Sequence, residues 1–290
     1  MNSLFMLVPG LIFSIQSACF KVYSTKCKQS SGANAFFNTI LLGLTALIAM
    51  CFSIGSTFDA YSIIYGAIMG VSFFLFIRLY NEAMACGPMA YTVFIFSISM
   101  LIPIVASIFM YAEYPSVLNY IGFAFLMVAI FLINFSSQRQ RNLTFSKKWV
   151  ILCIIGTIFN GGVGLMTKIY PMQAPETNFT LFIAVAFLVA TILSCVPYFS
   201  KNVRASLAEF KPSVWFVVLA VLVALTNFCG NTLYTMFAAY FDAGVYFPTV
   251  NGSSVLISLL ISCTIFREKL KPLAIVGMLI GIMAVMMLSL

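Results

Sequence analysis

The sequence has no histidine and only seven acidic residues among 290. Without imidazole, the commonest general acid–base group is missing, and so are the usual zinc ligand sets. No carboxylates are paired in register, and there is no HExxH helix and no glycine-rich phosphate loop. No catalytic residue, metal site or cofactor is therefore expected, and an enzyme of the membrane is the less favoured class. Eight cysteines occur without a CxxC pair. Six of them (Cys19, Cys51, Cys153, Cys195, Cys229 and Cys263) fall inside apolar runs, where cysteine behaves as a small hydrophobe. Charge of either sign is scarce, at 8% of residues, against about 25% in soluble domains. Too little polar material is present to cover a water-exposed surface, so lipid is the expected solvent. Met1 to Ser3 carry no positive side chain, and no small-residue cleavage site follows the first apolar run, which is expected to stay as a membrane helix.

Hydrophobic residues make up 62% of the chain, with thirty phenylalanines and sixteen methionines. They gather into ten runs near the roughly 20 residues that a membrane crossing needs. The runs cover 4–20, 34–53, 61–79, 91–111, 117–135, 149–169, 179–198, 214–234, 245–266 and 272–290, with edges good to about three residues. The longest polar connector, SSQRQRNLTFSKK, divides the chain into a first five-helix unit (1–135), a basic linker (136–148) and a second five-helix unit (149–290). The two units echo each other. Glu113 and Glu268, Gly122 and Gly277, Ala129 and Ala284, and Tyr91 and Tyr246 each stand 155 residues apart.

Five spans per unit force the second unit to enter the membrane from the opposite side, which gives an inverted repeat. The basic residues sort accordingly: of fifteen Lys and Arg, fourteen lie at one face and Lys168 alone at the other. By the positive-inside rule the basic face is cytoplasmic and both termini are external. The net charge of +8 thus has a topological meaning, and no nucleic-acid partner is expected.

The stretches FREKLKPLAIVGMLIGIMAVMML (266–288), with its partner around Glu113, FSIQSACFK (13–21) and FNGGVGLMTK (159–168) resemble the drug/metabolite transporter superfamily, specifically its EamA-type ten-helix transporters. Gln16 stands where that family commonly has Asn, and the external termini depart from its usual orientation. The resemblance implies an all-α membrane protein of ten helices, two inverted five-helix repeats around a central cavity. The first, third, fourth, sixth, eighth and ninth helices would line that cavity. It also implies alternating access for a small organic solute (a metabolite, an amino acid or a drug-like compound), often by export across the cytoplasmic membrane. A lipid-linked-sugar flippase on the same plan, or a non-transporting assembly partner, are the alternative readings. The expected partners are the solute and the bilayer, with the chain as monomer or homodimer.

Polar groups inside a span are costly and face a cavity or a neighbouring helix. The candidates to line a cavity are Gln16, Tyr91, Thr92, Asn160, Asn227, Asn231, Tyr246, Asn251 and Ser254. Interhelical hydrogen bonding is the competing role for each. Asn160 opens a glycine-rich stretch (Gly161, Gly162, Gly164) that either loosens its helix or packs it closely. Glu113 and Glu268 are expected as structural turn residues that serve the positive end of the following helix. Lys21 and Lys168 are expected at helix ends, reaching to the interface.

Overall fold

The computed structural model describes residues 3–27, 30–55, 59–137, 146–174, 177–208, 210–267 and 270–289. Among them the regular elements are helices: α1 (Leu7–Lys26), α2 (Ser31–Ser53), α3 (Ala60–Cys86), α4 (Met89–Ser97), α5 (Leu101–Tyr111), α6 (Val117–Ser137), α7 (Lys147–Gln173), α8 (Phe179–Ser194), α9 (Lys201–Ala208), α10 (Val214–Ala238), α11 (Ala243–Thr264) and α12 (Pro272–Ser289). Nine of the described helical stretches are long and apolar enough to cross a membrane, counting Tyr91–Tyr111 as one, and Pro272–Leu288 is a shorter apolar tenth. The chain is thus an all-α, multi-pass membrane protein.

The helix starts are fixed by short polar side chains that accept the otherwise unpaired first-turn N–H groups. Ser30 caps α2 at Ala33 N, Asp59 caps α3 at Tyr61 N and Ser62 N, Ser146 caps α7 at Trp149 N, Asn178 caps α8 at Leu181 N, and Ser213 caps α10 at Phe216 N, all at 3.0–3.2 Å. In hydrocarbon an unmet backbone donor costs several kcal/mol, so these residues set where each span can begin.

The packing follows the sequence repeat. Exchange α1 with α7, α2 with α8, α3 with α10, α4–α5 with α11, and α6 with α12. The contact of α1 with α10 then becomes that of α7 with α3. Likewise α1–α11 becomes α7–α4 and α7–α5, α2–α10 becomes α8–α3, and α11–α12 becomes α4–α6, while α2–α8 and α6–α12 map onto themselves; each of these contacts is present. The α6–α12 pair shows the relation residue by residue. A Cβ on Gly122 would lie 3.3 Å from Ala284 O, and one on Gly277 would lie 3.1 Å from Ala129 O. The two helices therefore run antiparallel, and positions 155 apart in sequence meet each other's equivalents across the pair.

Close approach elsewhere also rests on small residues, because lipid offers no hydrophobic gain for helix association and contact area must do the work. Gly66 and Gly70 of α3 face the carbonyls of Phe182 and Ala186 on α8; added Cβ atoms would sit 2.8 and 2.3 Å from those oxygens. Gly10 of α1 leaves room for Ser253 of α11, and Ser14 one turn later donates to Ser254 O at 2.9 Å.

The interruption lies in the fourth span. A 3-10 turn at Ile98–Met100 separates α4 from α5, and Pro103 inside α5 has no N–H to return to the carbonyl of Ser99 four residues back. The glycine-rich span, by contrast, runs unbroken as α7. Its glycines pack: a Cβ on Gly156 would lie 2.4 Å from the Phe96 ring, one on Gly161 would lie 2.2 Å from Ile102, and one on Gly164 would lie 3.2 Å from Pro103. Of the two roles open for that stretch, the structure assigns close packing.

Candidate functional site

Where the fourth span breaks, α7 supplies side chains to its exposed backbone. Thr157 Oγ1 reaches Ile95 O at 3.4 Å, and Asn160 Nδ2 donates to Phe96 O at 3.2 Å and to Ser99 Oγ at 2.6 Å. Polar side chains on a neighbouring helix commonly re-satisfy backbone at such breaks. Beside this seam lies a cavity of about 160 Å3. Its wall is drawn from both halves of the chain: Phe13 of α1, Ser99 and Met100 of the 3-10 turn, Pro103 of α5, Asn160, Gly161, Val163 and Gly164 of α7, Tyr234 of α10, and Phe247 and Asn251 of α11. Among the described residues no charged side chain lines it.

The rings in the wall are mutually arranged. Phe13 and Phe247 each stand edge-on to Tyr234, at 5.7 Å and 5.6 Å between centroids, the favoured geometry for aromatic pairs. The Asn251 amide donates to Phe247 O at 2.8 Å, one turn earlier on α11.

Behind these rings one end of the cavity is closed by a second aromatic layer and an ion pair. Tyr246 is fully buried, packs 5.4 Å from Tyr234 and stacks on Phe241 at 6.1 Å, and its hydroxyl donates to Tyr234 O at 2.8 Å. Lys168 lies one turn beyond Gly164 on α7. Its Nζ is 2.6 Å from Glu113 Oε1 and donates to Ala238 O at 3.1 Å and Phe241 O at 2.9 Å, which uses all three ammonium protons. The other carboxylate oxygen of Glu113 accepts from Ala243 N, the first residue of α11, at 2.8 Å. Glu113 is aimed there by Ala112, which takes the left-handed conformation (φ 54) at the end of α5.

Two expectations are corrected here. Lys168 does not extend to the interface: it sits five residues inside the end of α7 and is 1% exposed. Glu113 serves the start of α11 rather than that of the helix following it, because the left-handed turn carries it across the seam. Lys21 reaches Ser262 Oγ at 2.9 Å and lies over the Phe266 ring at 4.4 Å, which ties α1 to the end of α11. Glu268 lies outside the described residues.

The remaining candidates divide by environment. Asn160 and Asn251 border the cavity. Gln16, Asn227 and Asn231 form a polar knot with Thr45: Gln16 Nε2 donates to Asn227 Oδ1 at 3.3 Å, Asn227 Nδ2 to Thr45 Oγ1 at 3.3 Å, and Asn231 Nδ2 to Asn227 Oδ1 at 2.9 Å. Asn227 and Asn231 are 3% and 6% exposed, so this knot joins α1, α2 and α10. Thr92 is fully buried and accepts from Trp149 Nε1 at 2.9 Å. Tyr91 packs edge-on against Phe131 and Phe135. Ser254 takes part through its carbonyl, which accepts from Ser14. The sequence reading did not single out Phe13, Tyr234 or Phe247. Their signal was spacing, since each lies three or four residues before or after a candidate amide: Phe13 before Gln16, Tyr234 after Asn231 and Phe247 before Asn251.

The fold defines a polytopic helical membrane protein, with a cavity lined by residues from both halves of the chain. Residues 147–290, the second half of the chain, match the EamA-like transporter family. A crystal structure of another protein, titled only as such, aligns over 98% of this chain and 95% of its own with a TM-score of 0.76 at 11% identity; this is a likeness of fold. No curated protein matches the sequence.

Proposed function

We propose that the chain is a secondary transporter that moves a small organic solute across the cytoplasmic membrane by alternating access. The observation that carries this reading is the charge-free cavity at the seam of the two bundles, with Asn160 on one side and Asn251 on the other. Two inverted five-helix repeats, 1–135 and 149–290, joined by the basic linker 136–148, supply both sides of the pathway in one chain, so a monomer suffices. The basic face is cytoplasmic and both termini are external.

On this reading the structure is closed externally and open toward the cytoplasm. The buried residues of α11 run from Ala243 to Leu256, the end nearest Glu113 and Lys168, and the remaining turns toward Thr264 contribute none. Rocking of one bundle against the other about the cavity would part the Glu113–Lys168 contact and expose the solute outside.

The test is flux through purified protein in liposomes loaded with a defined mixture of amino acids, nucleobases and water-soluble vitamins, read by mass spectrometry. Protein-dependent release of at least one compound, lost in folded Asn160→Ala or Asn251→Ala variants, is the expected result. Unchanged flux in both variants would remove this cavity from the pathway.

A further inference from the structure

We infer that the solute carried at this cavity is an uncharged, single-ring heteroaromatic amide, about the size of nicotinamide. The inference rests on the transport reading above and narrows its substrate. Three observations lead to it.

The first is size. A cavity of about 150 Å3 takes a benzene ring, and the space beside Asn160 measures about 160 Å3. One ring with a short substituent fills that space.

The second is shape and surface. Phe13 and Phe247 flank Tyr234 edge-on, so a planar guest meets ring faces and edges in the geometry that aromatic groups favour. The polar groups lie at its margin. Both Asn160 Nδ2 bonds go to the fourth span, and among the described residues nothing donates to Asn160 Oδ1. That oxygen is an acceptor for a guest N–H. Asn251 Nδ2 spends one N–H on Phe247 O, and its second N–H is a donor for a guest carbonyl. A carboxamide edge supplies the matching pair.

The third is charge. The wall has no ionised side chain. The acidic residue one layer away, Glu113, already holds Lys168 and Ala243 N. An anion would face only neutral dipoles. A cation would gain ring contacts, yet these return less than the several kcal/mol that desolvating an ion costs without a counter-charge.

The experiment uses the full-length protein in lipid nanodiscs with tritiated nicotinamide as probe. Nicotinate and 1-methylnicotinamide serve as competitors: the first is an anion without the amide N–H, the second a pyridinium cation that keeps the carboxamide. The expected result is saturable binding, competition by either ion at least tenfold weaker than by unlabelled nicotinamide, and about tenfold weaker binding in Asn160→Ala and Asn251→Ala. An Asn251→Asp variant, checked for monodispersity, should shift the preference toward 1-methylnicotinamide. Equal or stronger competition by either ion, or no nicotinamide binding at all, overturns the inference. If the liposome assay still shows cavity-dependent flux of another compound, only the substrate class falls; if no compound in that mixture moves, the transport reading falls with it.

Discussion

Lys168 Nζ lies 2.6 Å from Glu113 Oε1, and the two residues come from opposite halves of the chain. The pair is buried, and the second carboxylate oxygen holds the first N–H of α11. One contact therefore joins α7, the turn after α5, and the start of α11, directly behind the aromatic layer that ends the cavity.

Removing one member of such a pair leaves an uncompensated buried charge, which costs about 3–5 kcal/mol. Glu113→Gln and Lys168→Met should each lower the apparent melting temperature in detergent markedly. The double variant should be more stable than either single one, because no lone charge remains. A thermal-shift series on the four proteins measures the coupling, and strictly additive losses would mean that the contact is not an energetic unit.

Ala112 holds a left-handed conformation (φ 54) that costs a residue with a Cβ about 1–2 kcal/mol. Ala112→Gly should relieve it and raise the apparent melting temperature without altering flux. A lower melting temperature would show that the methyl group makes packing contacts worth more than the strain.

Two glycines on different interfaces should respond oppositely to alanine. A Cβ at Gly70 would meet Ala186 O at 2.3 Å, whereas one at Gly43 would meet only a Thr191 methyl at 3.5 Å. Gly70→Ala should destabilise by about 1–3 kcal/mol through overpacking. Gly43→Ala should be neutral or gain up to about 1 kcal/mol from the helix preference of alanine. The same thermal-shift measurement compares them.

The amides should separate into structural and transport roles. Asn227→Ala removes the acceptor of Gln16 Nε2, the amide donor to Thr45 Oγ1 and one of the two acceptors of Asn231 Nδ2, and should cost about 1–3 kcal/mol in stability. Asn251 is exposed to the cavity, so Asn251→Ala should keep the melting temperature within about 0.5 kcal/mol of the parent while flux falls. Melting curves and liposome flux on the same preparations test both halves of this statement.

Much of the architecture was legible in the residue order. Hydrophobic run lengths located the spans, and positions 155 apart, such as Gly122 and Gly277, anticipated helices that the structure packs reciprocally. The fourth-span break was less legible, because Pro103 gives a signal only when read with the carbonyl of Ser99, to which it has no N–H to return. Lys168 misled for a physical reason. A lysine near the end of an apolar run has the same local sequence whether it reaches water or finds a carboxylate, and Glu113 is 55 residues away. The amides were equally ambiguous one by one. Asn160 and Asn227 have similar apolar neighbours in sequence, and only the break in the facing helix puts one beside a cavity and the other inside a hydrogen-bonded knot.

The most direct measurement concerns the closed end. A Cβ on Gly244 would lie 2.9 Å from Pro115 Cβ, close enough for a disulfide after a small adjustment. In a chain whose eight native cysteines are replaced by alanine, Pro115→Cys with Gly244→Cys should cross-link the turn after α5 to the start of α11. The account predicts that oxidation abolishes flux of the transported compound in the liposome assay and that reduction restores it. Full flux through the cross-linked protein would contradict it.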